Sequence, residues 1–358
     1  MIKRILIIGP FPLPISGVSL ANKVVKEILV ESPNFKVRTI NTSYNKFDEK
    51  LGKLTLEKLL FYLALNFQVF KVFTNDTIYI TPGQTFYGIT KYSLFILLAE
   101  FLNKEIITHV HGDHLRNEYK SLHGIKKKIF HYLLSKSTKG IVLSESLKEN
   151  MSLFIKEENI YTLYNFAEDY LVTKDEEIKT DKLRIVFLSN LMIEKGILEL
   201  LEALEMLVEQ NIDYEAKIAG NVEVTNKKHF LSIIKNLKFT EYLGVVNGKQ
   251  KKELLVWSNV FVLPTYYKME GQPISLIEAM ATNNVIITTK LAGIMDIIKE
   301  KNGYFVEKKS AKSIAAKLKF ISENKEVIAS ISGRNKRLFL DRFTLSHFKN
   351  NFIKILNS

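Results

Sequence analysis

Two glutamates eight positions apart, Glu270 and Glu278, stand in the run Pro264-Thr265-Tyr266-Tyr267-Lys268-Met269-Glu270-Gly271-Gln272-Pro273-Ile274-Ser275-Leu276-Ile277-Glu278-Ala279-Met280-Ala281. Pro273 suits a first helical turn, because it lacks an N–H that would go unbonded there. The amides of Ile274 and Ser275 would then point outward as donors. Glu278 falls in a helix, Ile274–Ala281, whose other residues are mostly apolar. A carboxylate in such a helix needs partners, and a ribose 2′,3′-diol offers two donors. Glu270, in the loop, would face hydroxyls on the other side of the phosphates. The plainer alternative makes Glu278 a solvated charge on an amphipathic helix.

Three further constellations carry chemistry. Gly9–Gly17 holds three prolines, and Gly17 after Ser16 lets backbone amides near a helix start approach a phosphate closely. It is not GxGxxG, so a dinucleotide cofactor is not indicated. Thr108-His109-Val110-His111-Gly112-Asp113-His114 matches the pattern of metallo-β-lactamase-fold zinc hydrolases. It also suits a histidine offered to a ligand from a strand end, or a purely structural cluster. Ser189-Asn190-Leu191-Met192-Ile193-Glu194-Lys195-Gly196 puts Lys195 just ahead of a helix, where free amides and the dipole already favour anions. A lysine there suits a diphosphate.

These loops need strands to carry them. Apolar runs at Ile5–Ile8, Thr77–Ile80, Glu105–Val110 and Gly140–Leu143 read as strands, with a helix over Leu20–Val30. After the charged segment Asp169–Lys182 the alternation restarts: strands Arg184–Leu188, Tyr214–Ala219, Asn259–Leu263 and Val285–Thr288, helices Ile197–Glu209, Asn247–Trp257 and Ile274–Ala281. Strand–helix alternation predicts parallel sheets covered on both faces, and the restart predicts two such domains. In these sheets ligands sit at the carboxyl ends of strands, where the four loops fall.

Composition bounds the rest. With 358 residues, 46% hydrophobic and 25% charged, the chain has ample core for two domains. No cysteine is present, which excludes disulfides, thiolate metal sites and a cysteine nucleophile. The start reads as a first strand and not as a signal peptide. The longest uncharged apolar stretch, Leu59–Phe70, is 12 residues, the length of a buried or interfacial helix. A soluble, cytoplasmic protein is expected. The net charge is +13, and only 7 basic residues are arginine, the side chain that reads base edges. An anionic surface or phosphates is the expected partner, and nucleic acid is not. Glu118–Lys139 carries Lys120, Lys126, Lys127, Lys128, Lys136 and Lys139 among Ile125, Ile129, Phe130, Tyr132, Leu133 and Leu134. It predicts a basic amphipathic helix fit for a lipid interface or, alternatively, packed on the sheet.

The run EGQPISLIEAMA, with its E-x7-E spacing, resembles the retaining family-4 glycosyltransferases (glycosyl transferases group 1) of the GT-B fold. The resemblance extends over most of the chain. Gly17 matches a glycine loop, His111 a His-Gly after a first-domain strand, and Asn165 an interdomain Asn-Gly position. Lys195 matches the lysine before the diphosphate-facing helix, and Gly244-Val245 opens the nucleobase loop. The resemblance implies that Lys195 binds the donor diphosphate and Glu278 the ribose. Glu270 and the Gly271-Gln272-Pro273-Ile274 segment would hold the sugar, and His111 one of its hydroxyls. Ser16, Gly17, Asn190, Gly244 and Val245 complete the expected donor site. Asn190 stands where the family carries Arg, so leaving-group stabilisation would lean harder on Lys195.

The expected fold is α/β, GT-B, with two doubly wound Rossmann-like domains and a cleft between them. Residues 1–165 form the acceptor side, 166–335 the nucleotide-sugar side, and 336–358 a terminal helix, around Lys336–Leu356, crossing back. The expected activity is metal-independent hexosyl or N-acetylhexosaminyl transfer with retention. The donor is a nucleotide sugar, UDP-linked, and the acceptor a lipid-linked glycan of bacterial surface polysaccharide, at the inner face of the cell membrane. No Asp-x-Asp occurs, so no metal or other cofactor is expected. The rivals are a zinc hydrolase using His109, His111, Asp113 and His114, and a non-catalytic nucleotide-sugar-binding module. A nucleic-acid binder would betray itself by a steep salt slope.

Overall fold

The computed structural model describes residues 2–43, 56–172, 180–222 and 224–358. Residues 173–179 of the charged segment read from the sequence lie outside these. The chain divides into two units, the first comprising Met1–Tyr164, Met269–Gln272 and Lys349–Ser358, the second Asn165–Lys268 and Pro273–Phe348.

Unit 1 is built on six strands: β1 (Lys3–Gly9), β2 (Phe35–Asn41), β3 (Thr77–Ile80), β4 (Glu105–Val110), β5 (Lys139–Val142) and β6 (Ile160–Thr162). Their order is β2-β1-β3-β4-β5-β6, every pairing parallel. Ile5, Leu6, Ile7 and Ile8 of β1 are all buried, as a strand covered on both faces requires. The helix Gly17–Glu31 buries Ala21, Val24, Val25, Ile28 and Leu29, the spacing of one helical face. It begins three residues before the expected Leu20. Ser16 caps it, accepting from the Ser19 amide while Ser19 Oγ accepts from the Ser16 amide.

Unit 2 repeats the plan with β7 (Leu183–Leu188), β8 (Tyr214–Ala219), β9 (Thr240–Gly244), β10 (Val260–Leu263), β11 (Val285–Thr289) and β12 (Tyr304–Val306), in the order β12-β11-β10-β7-β8-β9. In each parallel sheet the order in which strands are added reverses once, between β1 and β3 and between β7 and β10. Those reversals are where loops diverge and leave a crevice.

The single helix expected over Lys336–Leu356 is instead two, Glu326–Arg342 and Leu345–Asn357. The break follows from tertiary bonding. The Phe343 carbonyl accepts from the Ala167 amide, and Thr344 Oγ1 accepts from the His347 amide, starting a new helix. In unit 1 the last helix buries Phe352 edge-on against Tyr79, 5.7 Å between centroids. Lys3 and Lys139 donate to its terminal carbonyls at Leu356 and Ile355, 3.0 and 2.9 Å away.

Candidate active site

In unit 2 the loops after β7 and β10, the two strands at the reversal, are laced together. The Tyr266 amide donates to the Glu194 carbonyl at 2.8 Å, and Thr265 Oγ1 donates to the same oxygen at 3.3 Å. Lys195 ends a short 3-10 turn, Ile193–Lys195, and its ammonium lies over the Tyr267 ring, 5.0 Å from the centroid. Gly196 follows in the left-handed conformation, φ 79°, and begins the helix Ile197–Glu209. A Cβ on Gly196 would fall 2.5 Å from the Pro264 carbonyl oxygen, so only glycine lets the helix start approach β10 this closely. Lys195 is thereby held at a helix N-terminus beside the Pro264–Tyr267 stretch that follows β10.

Asn190 is half-buried after β7, in the stretch where Leu191 donates to the Asn221 carbonyl. Gly244, φ 71°, closes β9, and its carbonyl accepts from the Gly220 amide at 2.8 Å. Val245 beside it is exposed. The carboxyl ends of β7, β8 and β9 thus share one set of loop hydrogen bonds. Pro273 caps the helix Ile274–Ala281 from outside, at ψ 122°, one position earlier than expected. The Ile274 and Ser275 amides open that helix, with no carbonyl one turn earlier to bond. Glu278 is buried at 4% exposure, not solvated as the plainer alternative required. Burial pushes its carboxyl up, while Lys251, 2.5 Å away, pulls it back down.

In unit 1, His111 follows β4. Its ring lies 4.0 Å from the ring of His109, whose Nδ1 is 2.5 Å from the Tyr79 hydroxyl. Burial pushes the His111 imidazole down to about 3, so it is neutral at physiological pH. Its Nε2 is buried and carries no hydrogen bond among the described residues. Gly271 lies close beneath: a Cβ there would fall 2.8 Å from the His111 carbonyl oxygen. Gln272 Nε2 donates to the Leu143 carbonyl at 3.2 Å, and Glu270 is buried at 7% exposure. Ser16 and Gly17 stand exposed at the start of their helix after β1. Asn22, missed in the sequence, steadies that loop by donating to the Pro10 carbonyl at 2.8 Å and to Thr81 Oγ1 at 2.7 Å.

The residues of the zinc alternative have neighbours of their own in unit 1. His109 Nδ1 meets the Tyr79 hydroxyl while its Nε2 carries no hydrogen bond among the described residues, Asp113 accepts from Asn150 Nδ2 at 2.7 Å, and His114 Nε2 lies 3.6 Å from Glu118. Among the described residues no three His, Cys, Asp or Glu side chains converge to hold a metal. Successive residues along a strand point to opposite faces, so His109 and His111 share a face, while Asp113 and His114 fall in the turn beyond β4.

Residues 172–337 match the family Glycosyl transferases group 1. The chain is 30% identical over 195 residues to the uncharacterized glycosyltransferase MJ1607 of Methanocaldococcus jannaschii, covering 50% of this chain and 49% of that one. It is 25% identical over 236 residues to the capsular polysaccharide biosynthesis glycosyltransferase CapM of Staphylococcus aureus, covering 60% and 61%. It thus spans about half to three-fifths of the length of these curated relatives. In structure it resembles Anabaena Alr3699/HepE, solved with UDP and glucose, at a TM-score of 0.74 and 14% identity over 99% of both chains. That likeness carries the fold, two parallel six-stranded sheets with interleaved helices. Residues 172–337 thus match the glycosyl transferases of group 1, and the chain as a whole has a GT-B fold.

Proposed function

We propose that the chain is a retaining, metal-independent glycosyltransferase that moves a sugar from a nucleotide sugar to a glycan acceptor in bacterial surface polysaccharide synthesis. The observation that carries this is the pairing, at the reversal of the second sheet, of the Lys195 helix start with the loop leading to buried Glu278. A cation and a helix N-terminus stabilise the charge that grows on a departing diphosphate. An ionised carboxylate accepts two hydroxyls of a ribose. Neutral His111 can accept from or donate to a sugar hydroxyl without repelling a cation. Glu270, held with Gly271 and Gln272, positions the sugar. No second cation replaces the arginine missing at Asn190 in this proposal, so Lys195 carries the diphosphate.

The donor is UDP-linked in this reading, and the acceptor is lipid-linked at an anionic membrane. Unit 1 supports the membrane part with three neighbouring apolar stripes. The helix Ser93–Phe101 exposes Leu94, Leu97 and Phe101. It lies against the turn Val69–Thr74, which exposes Phe70 and Phe73, and the helix Gly124–Ser135, which exposes Ile125, Ile129 and Tyr132. The expectation of a single apolar side on Gly124–Ser135 is therefore corrected: Phe130, Leu133 and Leu134 pack inward and the other three face out. Lys126 and Lys128 stand exposed among them. Apolar stripes flanked by lysines suit the headgroup boundary of an anionic bilayer. No helix among the described residues is long and apolar enough to cross a membrane.

A thermal-shift screen of nucleotide sugars tests the donor reading. A ligand at 100 times its Kd adds about 2.7 kcal/mol. The anomeric configuration of the product, read by NMR, tests retention. A protein stabilised by a nucleotide sugar but never releasing diphosphate with any acceptor would be a binding module instead.

A further inference from the structure

The helix Gly248–Trp257 follows the Gly244-Val245 turn and is lysine-rich, with Lys249, Lys251 and Lys252 in its first half. Lys249 is 89% exposed at its side chain, the usual fate of a helical surface lysine, whereas Lys251 is only 13% exposed. Ordering a long lysine side chain costs about 1.5–2 kcal/mol in rotamer freedom, so something must hold it. Its ammonium is 2.5 Å from Glu278 Oε1 and 3.7 Å from Glu168 Oε2, with the Tyr170 ring centroid at 5.7 Å. Among the described residues it is the one cation within ion-pair distance of Glu278. Glu168 stands at the start of the short turn Asp169–Leu171 and Tyr170 within it, so the lysine ties this turn to the helix that carries Glu278.

We propose that Lys251 is a positioning residue of the donor site, holding the Glu278 carboxylate as a fixed anionic acceptor for the two hydroxyls of a nucleotide ribose. The inference rests on the donor-site reading of Glu278 given above. A carboxylate this deeply buried and without a cation takes up a proton. A protonated carboxyl presents one donor where the diol needs two acceptors. Lys251 occupies Oε1 from one side, which leaves Oε2 and the remaining lone pairs for the sugar. The charges acting on Glu278 are Lys251, which favours its ionised form, and Glu168, which opposes it; Tyr170 lies against the lysine on the same side. Glu168, 3.7 Å from the ammonium, gives Lys251 a second anionic neighbour.

The test is UDP binding by calorimetry from pH 6 to pH 9 for the full chain and its variants. Lys251→Met should weaken UDP by about 30-fold at pH 7, the deficit shrinking towards pH 9 as Glu278 loses its proton. Lys251→Arg, which keeps the charge, should stay within about threefold of the wild type. In a Glu278→Gln background, adding Lys251→Met should cost nothing more, because the lysine acts through that carboxylate. Lys251→Gln keeps a donor and carries the test if Lys251→Met does not fold. A deficit independent of pH, or one that persists in the Glu278→Gln background, overturns the proposal while the donor site stands. A wild type that binds no UDP overturns the UDP-donor reading and the proposal together.

Discussion

Replacing Gly196 with alanine perturbs the contact on which the proposed donor site of unit 2 is built. The residue sits at φ 79° and ψ 24°, where a side chain costs about 1–2 kcal/mol. The new methyl would lie 2.5 Å from the Pro264 carbonyl oxygen and 2.6 Å from its Cγ, atoms of backbone and ring that cannot swing away. Relieving such overlap shifts backbone and costs about 1–3 kcal/mol. The two together come to about 2–5 kcal/mol, a large part of a domain's stability. Two internal controls separate the contributions. Gly248 is also left-handed, φ 50°, but its Cβ would meet nothing within 4 Å, so Gly248→Ala should lose only about 1–2 kcal/mol. Gly333 lies inside the helix Glu326–Arg342 with open space around it, so Gly333→Ala should gain about 0.5–1 kcal/mol. Urea unfolding of the three variants, followed by the transition of unit 2, gives the comparison. Gly196→Ala should also weaken nucleotide binding, since relief moves the Lys195 turn away from the Pro264–Tyr267 stretch. A Gly196→Ala variant no less stable than Gly248→Ala would refute the close-approach account.

Acid should destabilise unit 1 well above the carboxylate range. The His109 and His111 imidazoles are held neutral by burial, whereas unfolded histidine takes up a proton near pH 6.5. Their folded values are depressed, so their contribution is fully present above pH 6.5. It is lost as pH falls from there towards the folded values, which is about 3 for His111. Between pH 7 and pH 5 the loss should be about 2–4 kcal/mol, and urea midpoints that do not move over this window would contradict it. In liposome co-sedimentation, binding should need anionic lipid, weaken with salt and drop when Lys126, Lys127 and Lys128 become Glu. Phe70→Ser with Phe101→Ser should also release the protein with the lysines intact, and sedimentation unaffected by both changes would refute the lipid-facing stripes. Activity should survive EDTA with well under one zinc per chain, and activity lost on chelation would revive the metal alternative.

The central strands were legible because each is a short apolar run between turn residues. The four strands that escaped notice, β2, β6, β9 and β12, are the four sheet edges. Edge strands are covered on fewer sides, and the alternating half-exposure of Phe35–Asn41 leaves no apolar run to read. The break at Phe343-Thr344 carries neither Gly nor Pro and depends on a bond to Ala167, 176 residues earlier in the chain. In the candidate site, Lys195-Gly196 and the Glu270 to Glu278 run were readable because they fall in loops after strands and at helix starts. Lys251 and the Tyr79–His109 pair were not. Their significance lies in partners 27 and 30 residues away, brought together by sheet order and not by local spacing. A buried lysine on a lysine-rich helix looks like any surface lysine until its neighbours are known.

The most direct test of the central claim is release of nucleoside diphosphate from a panel of nucleotide sugars, measured with acceptor for the wild type and Lys195→Ala. At least one nucleotide sugar should be turned over by the wild type. Lys195→Ala should fold normally and lose about a hundredfold in kcat, or roughly 2.7 kcal/mol of transition-state stabilisation. Turnover of no nucleotide sugar by the wild type, or a Lys195→Ala variant with near wild-type kcat/KM, would contradict it.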